Sequence, residues 1–320
     1  MAVFLASRAP EPHRDRASGI LRAHPEIRAL FGRNPHTIWF IVALVALQLG
    51  LAWLVRDGPW WVALLLGYAV GAFVNHGLYV LMHETNHNLL FQRRYLNTLA
   101  GILANVPSLI PSSVSFQRYH LKHHANQGIH DLDGDMPSYW EARLVGGRTV
   151  AKALWLLFFP VFLTLRPAHL RGIELLCPWT IFNIAIVFAL DVVFWMVLGP
   201  IAVLYLFLSM CFSLGLHPVG ARWIQEHYVI SPPQETYSYY GPLNLLAFNI
   251  GYHNEHHDFP GVPWDRIPRV RSIAPEWYDE LVAYRSWTGL LVRFILDPRF
   301  SLFDRVGRPD WRHAGERARV

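Results

Sequence analysis

The sequence is poor in cysteine, in lysine and in charged side chains generally. Only 2 of its 320 residues are cysteines and 16% are charged, against about 25% in a typical soluble domain. Cys177 and Cys211 form no C-x-x-C pair and are most simply interpreted as small buried residues. A cysteine-rich zinc site is therefore not expected. Because 53% of the residues are hydrophobic and the mean hydropathy is +0.22, the composition predicts an integral membrane protein.

Four stretches are nearly free of charge and long enough to cross a bilayer as helices. Residues 37–55 and 59–82 are separated by a short turn and predict one hairpin. Residues 179–198 and 200–216 meet at a Gly199–Pro200 turn and predict a second hairpin. At about 1.5 Å per residue the first stretch would be about 28 Å long, close to the hydrocarbon thickness of a bilayer.

Two further apolar stretches, residues 96–111 and 153–165, are short or interrupted by proline. We expect them to form helices that lie in or near the membrane interface rather than cross the bilayer. A count of six spans is the alternative.

The placement of arginine predicts the orientation of these spans. Of the 28 basic residues, only Lys122 and Lys152 are lysines. Half of the 26 arginines lie before residue 37 or between the two hairpins and nearly all the others follow the second hairpin, whereas the hairpin tips carry only Arg56. The positive-inside rule therefore places both termini and the middle segment in the cytoplasm. Basic loops that meet anionic lipid also explain the net charge of +5, so no nucleic-acid partner is expected.

Arginine-rich composition, together with many alanines and glycines, is typical of a GC-rich genome. This favours a bacterial cytoplasmic membrane as the location, with the endoplasmic reticulum membrane as the alternative for a eukaryotic source.

Histidine is concentrated in three clusters on the predicted cytoplasmic side. The clusters are His83-Glu-Thr-Asn-His87, His120-Leu-Lys-His123-His124 and His253-Asn-Glu-His256-His257. Residues three and four apart share one face of a helix, so each cluster is expected to present its imidazoles to a common point. Such spacing makes chelation of a metal geometrically easy.

Eight imidazoles exceed the ligands that one ion of ordinary coordination number accepts, so the clusters predict two metal ions. A pair of irons that bind dioxygen in open positions fits these ligands best. A metal transporter is an alternative class, but transport sites are expected near the bilayer midplane, where only His76 lies.

Other residues near the clusters are open to more than one interpretation. His227 follows the fourth span and is either a ninth ligand or a surface or capping histidine. His76 is either a packing residue or a neighbour of the metal site, and Asp191 lies mid-span without an assigned role. The clusters are also surrounded by carboxylates, some of which are expected to accept hydrogen bonds from metal-bound imidazoles. These are Glu84, Asp131, Asp133, Asp135, Glu226, Glu255 and Asp258.

The clusters HETNH, HLKHH and HNEHH resemble the histidine boxes of the membrane fatty-acid desaturase superfamily. The segments 235–244 and 251–260 resemble the sphingolipid delta-4 desaturase (dihydroceramide desaturase) family in particular, as do the shorter segments 24–28, 115–120 and 216–218. There are two departures. Residues 84–86 read Glu-Thr-Asn where the family more often has Glu-Ile-Ala, and Arg222 stands where a histidine is common in animal members.

The resemblance implies a trans double bond inserted between carbons 4 and 5 of the sphingoid base of dihydroceramide, which gives ceramide. It implies two ferrous irons held by the eight box histidines and His227, dioxygen as oxidant, and electrons from cytochrome b5 or a ferredoxin. No separate catalytic acid or base is predicted. Hydroxylation at carbon 4, or oxidation of another acyl lipid, stays open as an alternative.

The predicted architecture is an all-α integral membrane protein with four transmembrane helices in two hairpins, interfacial helices and a cytoplasmic histidine-rich di-iron cap. Residues 1–36 would form a cytoplasmic arm that begins the sphingolipid desaturase N-terminal region. Residues 37–297 would form the desaturase domain, and residues 298–320 a basic C-terminal tail.

Overall fold

Helices dominate the computed structural model, which describes residues 3–310. In chain order they are α1 His13–Ala23, α2 Thr37–Val55, α3 Trp60–Asn86, α4 Arg94–Asn105, α5 Ser113–Asn126, α6 Tyr139–Val145, α7 Thr149–Leu157, α8 Phe159–Leu165, α9 Pro178–Leu198, α10 Pro200–Leu214, α11 Arg222–His227, α12 His253–Asp258, α13 Ile267–Ile273 and α14 Trp287–Leu296. Two short strands, β1 Leu5–Ala6 and β2 Val306–Gly307, form one parallel pair that the sequence did not predict.

Within residues 3–310, four helical runs are long and apolar enough to cross a membrane. They begin at Thr37, Trp60, Pro178 and Pro200, close to the four predicted starts. Only 17% of the apolar window in α9 is buried inside the protein. Because an apolar surface of this kind is stable only against lipid or other protein, the prediction of an integral membrane protein with four candidate spans is confirmed.

Helix α3 extends to Asn86, four residues beyond the predicted end at Met82. A π-helical turn at Gly67–Gly71 brings it against α10, where a Cβ on Gly71 would lie 2.1 Å from Ser209 Oγ. Since that position accepts only glycine, the two helices pack closely along this contact. The first histidine cluster therefore occupies the last turn of α3 and its C-cap rather than a following loop.

Helix α10 ends at Leu214, two residues before its predicted end, and the chain turns sharply there. A Cβ on Gly215 would lie 2.0 Å from the carbonyl oxygen of Leu156, so a side chain is excluded at the turn. The Nδ1 atom of His217 then accepts a hydrogen bond from the backbone N–H of Val219. This redirects the chain into α11, which carries His227 at its end.

The two weaker apolar stretches form bent pairs of helices. The run Arg94–Ser108 meets α5 at 115°, and α7 meets the run Phe159–His169 at 72°. The count of spans among the described residues would rise from four to six only if each bent pair crossed the membrane as a unit.

The arm and the segment after α14 pack together on the body of the protein. Strand β1 pairs with β2, and α1 lies against α12. Phe300, Leu302 and Arg305 are buried, so residues 298–310 of the predicted tail are part of the folded body. Residues 311–320 of that tail lie outside the described residues.

Candidate metal centre

Nine histidines from four helices converge in the interior of the protein. Helix α3 contributes His83 and, at its C-cap, His87, while α5 contributes His120, His123 and His124. Helix α11 contributes His227, and α12 contributes His253, His256 and His257. Seven of the nine are buried, and His87 and His124 are half-buried. The structure thus brings together every histidine that the sequence named as a ligand.

The imidazoles form two groups. The first contains five histidines whose ligand nitrogens all lie within 4.8 Å of one another: His83, His87, His120, His124 and His256. The second contains His123, His227 and His257, whose ligand nitrogens likewise lie within 4.8 Å of one another. His253 adjoins the second group, because its Nε2 atom lies 3.0 Å from Nε2 of His227.

The prediction that each cluster presents all its imidazoles to a common point is wrong for two of the three clusters. The second cluster gives His120 and His124 to the first group and His123 to the second. The third cluster divides between His256 and His257 in the same way. Adjacent helical residues point about 100° apart, so a pair of neighbouring histidines on one helix must face two sites.

The contacts between ring nitrogens in the first group cannot all be hydrogen bonds. Nε2 of His120 lies 3.1 Å from Nε2 of His87 and 3.0 Å from Nε2 of His124. Nε2 of His124 in turn lies 3.2 Å from Nε2 of His256. A neutral Nε2 atom has either one proton or one lone pair, whereas Nε2 of His120 and Nε2 of His124 each face two neighbours, so at most two of the three contacts can be ordinary hydrogen bonds.

A shared metal ion would explain these distances. Imidazole nitrogen binds a divalent ion such as zinc at about 2.1 Å, so two ligands at right angles lie about 3.0 Å apart. The donor set, imidazole alone, suits iron, copper, nickel and zinc. The residues present therefore fit a transition-metal ion in each group.

Burial favours the neutral form of these imidazoles, which is the form that binds metal. Burial lowers the pKa of His87 to about 4. Burial, followed by repulsion from His87 and His256, lowers the pKa of His124 well below its usual range. The pKa of His257 is lowered in the same way, by burial first and then by His124.

His123 is the exception, because it is paired with a carboxylate. Its Nδ1 atom lies 2.7 Å from Oδ1 of Asp133. Asp133 also accepts a hydrogen bond from the backbone N–H of Asp135 at Oδ1 and one from that of Gly128 at Oδ2. Burial opposes protonation, but Asp133 and then Asp135 outweigh it and raise the pKa of His123. Asp133 therefore holds a proton on Nδ1 and leaves Nε2 directed at His227, 3.0 Å away.

Two other carboxylates adjoin the ligand nitrogens. Oε1 of Glu226 lies 3.5 Å from Nδ1 of His253. Oδ2 of Asp135 lies 3.5 Å from Nε2 of His123 and 3.9 Å from Nδ1 of His120, between the two groups. These carboxylates are placed to orient the imidazoles electrostatically.

Glu84, Asp131 and Asp258 contact groups other than the nine clustered imidazoles. Glu84 accepts a hydrogen bond from the backbone N–H of Trp264, which ties the end of α3 to the loop after α12. Asp131 is half-buried and pairs with Arg171 and with the ring of His130, which belongs to neither histidine group. Asp258 accepts hydrogen bonds from the arm, as described below.

The segment 235–244 supports the third cluster. Ser238 and Tyr240 donate hydrogen bonds of 2.7 and 2.6 Å to the two carboxylate oxygens of Glu255. Burial raises the pKa of Glu255 to about 7, against the effect of these two donors. Asn244 accepts a hydrogen bond from the N–H of Gly251, where a Cβ would lie 2.4 Å from Asn244 Oδ1. The resemblance in this segment therefore has a structural basis beside the histidines.

Sequence reasoning missed two residues of the arm that reach the site. His13 lies with its ring centroid 4.7 Å from that of His257, and its Nδ1 atom lies 2.8 Å from Oδ1 of Asp258. Arg16 donates hydrogen bonds to both carboxylate oxygens of Asp258. No local pattern distinguishes these two residues from the other polar residues of the arm.

Two residues with open roles lie outside both histidine groups. Nδ1 of His76 lies 3.1 Å from the carbonyl oxygen of Ser213, as expected of a helix-packing histidine. Asp191 lies on α9, which packs little against the rest of the protein.

Arg222, one of the two departures from the family pattern, is buried beside the site. Its guanidinium lies 3.4 Å from Glu226 and 4.4 Å from the ring centroid of Trp223. It also lies 5.5 Å from the ring centroid of Tyr79.

A cavity of about 160 Å³ adjoins the first histidine group. Its lining is mostly apolar and includes Asn75, Tyr79, Ser115, Tyr119, Leu163 and Met210. Tyr79 precedes His83 by one helical turn and Tyr119 precedes His120 directly. The lining also includes the exposed residues Thr164 and Ala168, which form its mouth.

The helical frame, the buried histidines and the apolar cavity together define a membrane-bound oxidoreductase of the desaturase class. A sequence model described as "Fatty acid desaturase" matches residues 59–288, and one described as "Sphingolipid Delta4-desaturase (DES)" matches residues 4–36. The chain therefore belongs to the fatty acid desaturase family, and within it to the sphingolipid delta(4)-desaturases. This confirms the resemblance read from the motifs.

Relatives match nearly the whole chain. A rice (Oryza sativa subsp. japonica) sphingolipid delta(4)-desaturase DES1-like protein is 43% identical over 309 residues, which cover 95% of this chain and 92% of the rice protein. Sphingolipid delta(4)-desaturase DES1 of Drosophila melanogaster is 41% identical over 308 residues, 93% of each chain. The human protein of that name is 39% identical over 300 residues, 93% of this chain and 92% of its own.

Proposed function

We propose that the protein inserts a trans double bond between carbons 4 and 5 of the sphingoid base of dihydroceramide and so forms ceramide. Family membership and the names of the relatives support this substrate class. The single observation that carries the chemistry is the pair of buried histidine groups beside an apolar cavity.

The proposed cofactor is a pair of ferrous irons. His83, His87, His120, His124 and His256 would hold one iron, and His123, His227, His253 and His257 would hold the other. If bound, two ferrous irons would supply the redox chemistry that activates dioxygen, the oxidant, towards an unactivated C–H bond, which no side-chain acid or base can break. Asp133 orients His123, and Glu226 lies where it can orient His253.

The cavity is the proposed site for the lipid chain. Carbons 4 and 5 lie only a few bonds from the amide and hydroxyl groups of the substrate, so polar partners are needed close to the reacting carbons. Asn75, Ser115 and the two tyrosines are among the residues that supply such groups within a mostly apolar lining. Fixing the polar end in this way would set which carbons face the first histidine group.

We place the histidine groups on the cytoplasmic side, with the four spans arranged as two hairpins. The arginine distribution supports this orientation in either a bacterial cytoplasmic membrane or the endoplasmic reticulum membrane. Helices α6 to α8 would lie in the interface, because they carry exposed apolar side chains beside Arg148, among them Leu144, Val150, Phe158 and Val161. That arrangement matches an interfacial helix better than a soluble surface.

Electrons must come from another protein, since the sequence has no glycine pattern typical of nucleotide binding. A cytochrome b5 or a ferredoxin that docks on the cytoplasmic face is the proposed donor.

The decisive experiment expresses the full chain in a host without sphingolipid delta-4 desaturase activity and supplies isotope-labelled dihydroceramide. Mass spectrometry should detect labelled ceramide with wild-type protein and none with His256→Ala, while both proteins are recovered from the membrane fraction. His36→Ala, at an exposed histidine, is the matched control and should retain activity. If the main labelled product is a 4-hydroxylated base, the protein is a hydroxylase rather than a desaturase. If the sphingoid base is unchanged, the sphingolipid assignment is wrong.

A further inference from the structure

We infer that His13 is a positioning residue for the second histidine group: acting through Thr236, it fixes which ring nitrogen of His227 is free to bind metal. The inference rests on the proposed metal centre but not on the identity of the lipid. It assigns a role to the arm, which contributes no residue to the three histidine clusters.

A continuous chain of buried polar contacts joins Asp258 to His227. Oδ1 of Asp258 lies 2.8 Å from Nδ1 of His13, and Nε2 of His13 lies 3.0 Å from Oγ1 of Thr236. Oγ1 of Thr236 lies 3.4 Å from Nδ1 of His227. All four side chains are at least nine-tenths buried, so water does not compete for these contacts.

The proton positions follow from Asp258. Its carboxylate accepts hydrogen bonds from Arg16 Nε and Nη2 and from the hydroxyl of Tyr278, so it acts as an acceptor on both oxygens. Nδ1 of His13 must therefore carry a proton, because its lone pair would otherwise face a carboxylate at 2.8 Å. Arg16 Nη2 also lies 3.0 Å from Nδ1 of His13, but it has Asp258 and Asn254 as acceptors at 2.9 and 3.0 Å.

The positions of the other protons follow from how many hydrogens each group can donate. In the arrangement that leaves Nε2 of His227 open to a metal ion, Nε2 of His13 has a lone pair and accepts a hydrogen bond from the hydroxyl of Thr236, 3.0 Å away. The oxygen of Thr236 then offers lone pairs, one to Gln127 Nε2 at 3.3 Å and one to His227 Nδ1. His227 consequently keeps its proton on Nδ1.

The consequence is a lone pair on Nε2 of His227. That atom lies 3.0 Å from Nε2 of His123 and 3.0 Å from Nε2 of His253, at the centre of the second group. The opposite tautomer would place a hydrogen there and exclude a metal ion. Asp133 does the same for His123 from the other side, so two independent contacts prepare the second group.

The test compares Thr236→Val, which removes the hydroxyl at nearly constant shape, with Thr236→Ser, which keeps it. Full-length protein is loaded with ferrous iron, and iron per chain is measured by mass spectrometry during competition with a chelator. We expect Thr236→Val to lose iron from the second group with about 10- to 100-fold weaker affinity, so iron falls from two per chain towards one. Thr236→Ser should hold two, and a Mössbauer spectrum should lose one iron environment only in the valine variant.

A double-mutant cycle tests whether His13 acts through Thr236. His13→Gln should show the same selective loss, and the double variant His13→Gln/Thr236→Val should lose no more than either single variant. Equal retention of both irons in Thr236→Val would overturn the inference. So would equal loss of both irons together with a lowered unfolding temperature, since that result means a purely structural role.

The lipid assay separates this inference from the proposed function. If wild-type protein holds two irons but forms no ceramide, the proposed substrate fails and the role of His13 is unaffected. If wild-type protein forms ceramide and Thr236→Val keeps both irons, the inference alone fails.

Discussion

Nδ1 of His123 lies 2.7 Å from Oδ1 of Asp133, and neither side chain is exposed to solvent. Replacing Asp133 by asparagine should weaken iron binding in the second group about 10- to 100-fold, because an amide nitrogen can donate to Nδ1 and move the imidazole proton to Nε2. Chelator competition on the purified protein measures the change. Asp131→Asn is the control, since Asp131 lies two residues upstream, is only half-buried and pairs with Arg171 outside the histidine groups. Equal iron affinity in the two variants would contradict the role of Asp133.

Substitution at the mouth of the cavity should reduce turnover of the lipid without loss of iron. Ala168→Phe adds bulk at an exposed lining position, where it narrows the entrance and leaves the core unaltered. We expect kcat/KM for dihydroceramide to fall about 10-fold or more, which corresponds to about 1.4 kcal/mol. Leu165→Phe, an exposed residue of α8 outside the lining, serves as the control. If both variants turn over lipid equally, the chain enters elsewhere.

The buried ion pair between Glu141 and Arg166 should be important for stability. Arg166 Nη2 lies 2.7 Å from Glu141 Oε1, which also accepts a hydrogen bond from Trp155 Nε1 at 2.7 Å. Arg166 further donates to the backbone oxygen of Asp135, so the pair braces the loop that carries Asp133. Glu141→Gln leaves a buried guanidinium without its counter-charge and should cost about 3–5 kcal/mol.

Thermal unfolding in detergent measures this loss against a surface pair. Glu174→Gln breaks the exposed pair with Arg118, whose oxygen and nitrogen lie 3.3 Å apart. That change should cost at most about 1 kcal/mol, because water screens the charges. Similar unfolding temperatures for the two variants would show that Arg166 finds another partner.

Removal of metal should destabilise the protein, and zinc should restore stability but not activity. Without an ion, Nε2 of His120 and Nε2 of His124 each face two neighbouring nitrogens at 3.0–3.2 Å, although each has only one proton or one lone pair to offer. Zinc accepts the same nitrogen ligands but has no redox chemistry. The unfolding temperature should therefore fall after chelation and recover with either metal, whereas ceramide should form only with iron. Ceramide formation by the zinc-loaded protein would refute the iron assignment.

The membrane helices and the ligand histidines were predictable because both depend on local patterns. A run of apolar residues near the bilayer thickness identifies a span wherever it occurs, and the starts at Thr37 and Pro200 were placed correctly. Spacings of three and four residues likewise bring His120 and His124 to one side of a helix. The error at His123 came from treating three histidines as one face, although adjacent residues diverge by about 100°.

The residues that orient the histidines of the metal centre were not predictable from local patterns. Sequence reasoning gave seven carboxylates near the clusters but could not separate Asp133, which holds an imidazole, from Asp131 on the surface. His13 has no neighbour in sequence that reveals its partner, since it lies 245 positions from Asp258. Such pairings are determined by tertiary packing, and the residues themselves carry no signature of it.

The wide separation of His13 and Asp258 also has a consequence for biogenesis. During synthesis the arm leaves the ribosome first and its partner appears only after all four apolar helices have been made. Since chains are made at about 5–20 residues per second, the arm waits on the order of ten seconds or more before it can dock. The second histidine group can therefore be completed only after the four apolar helices have been synthesised.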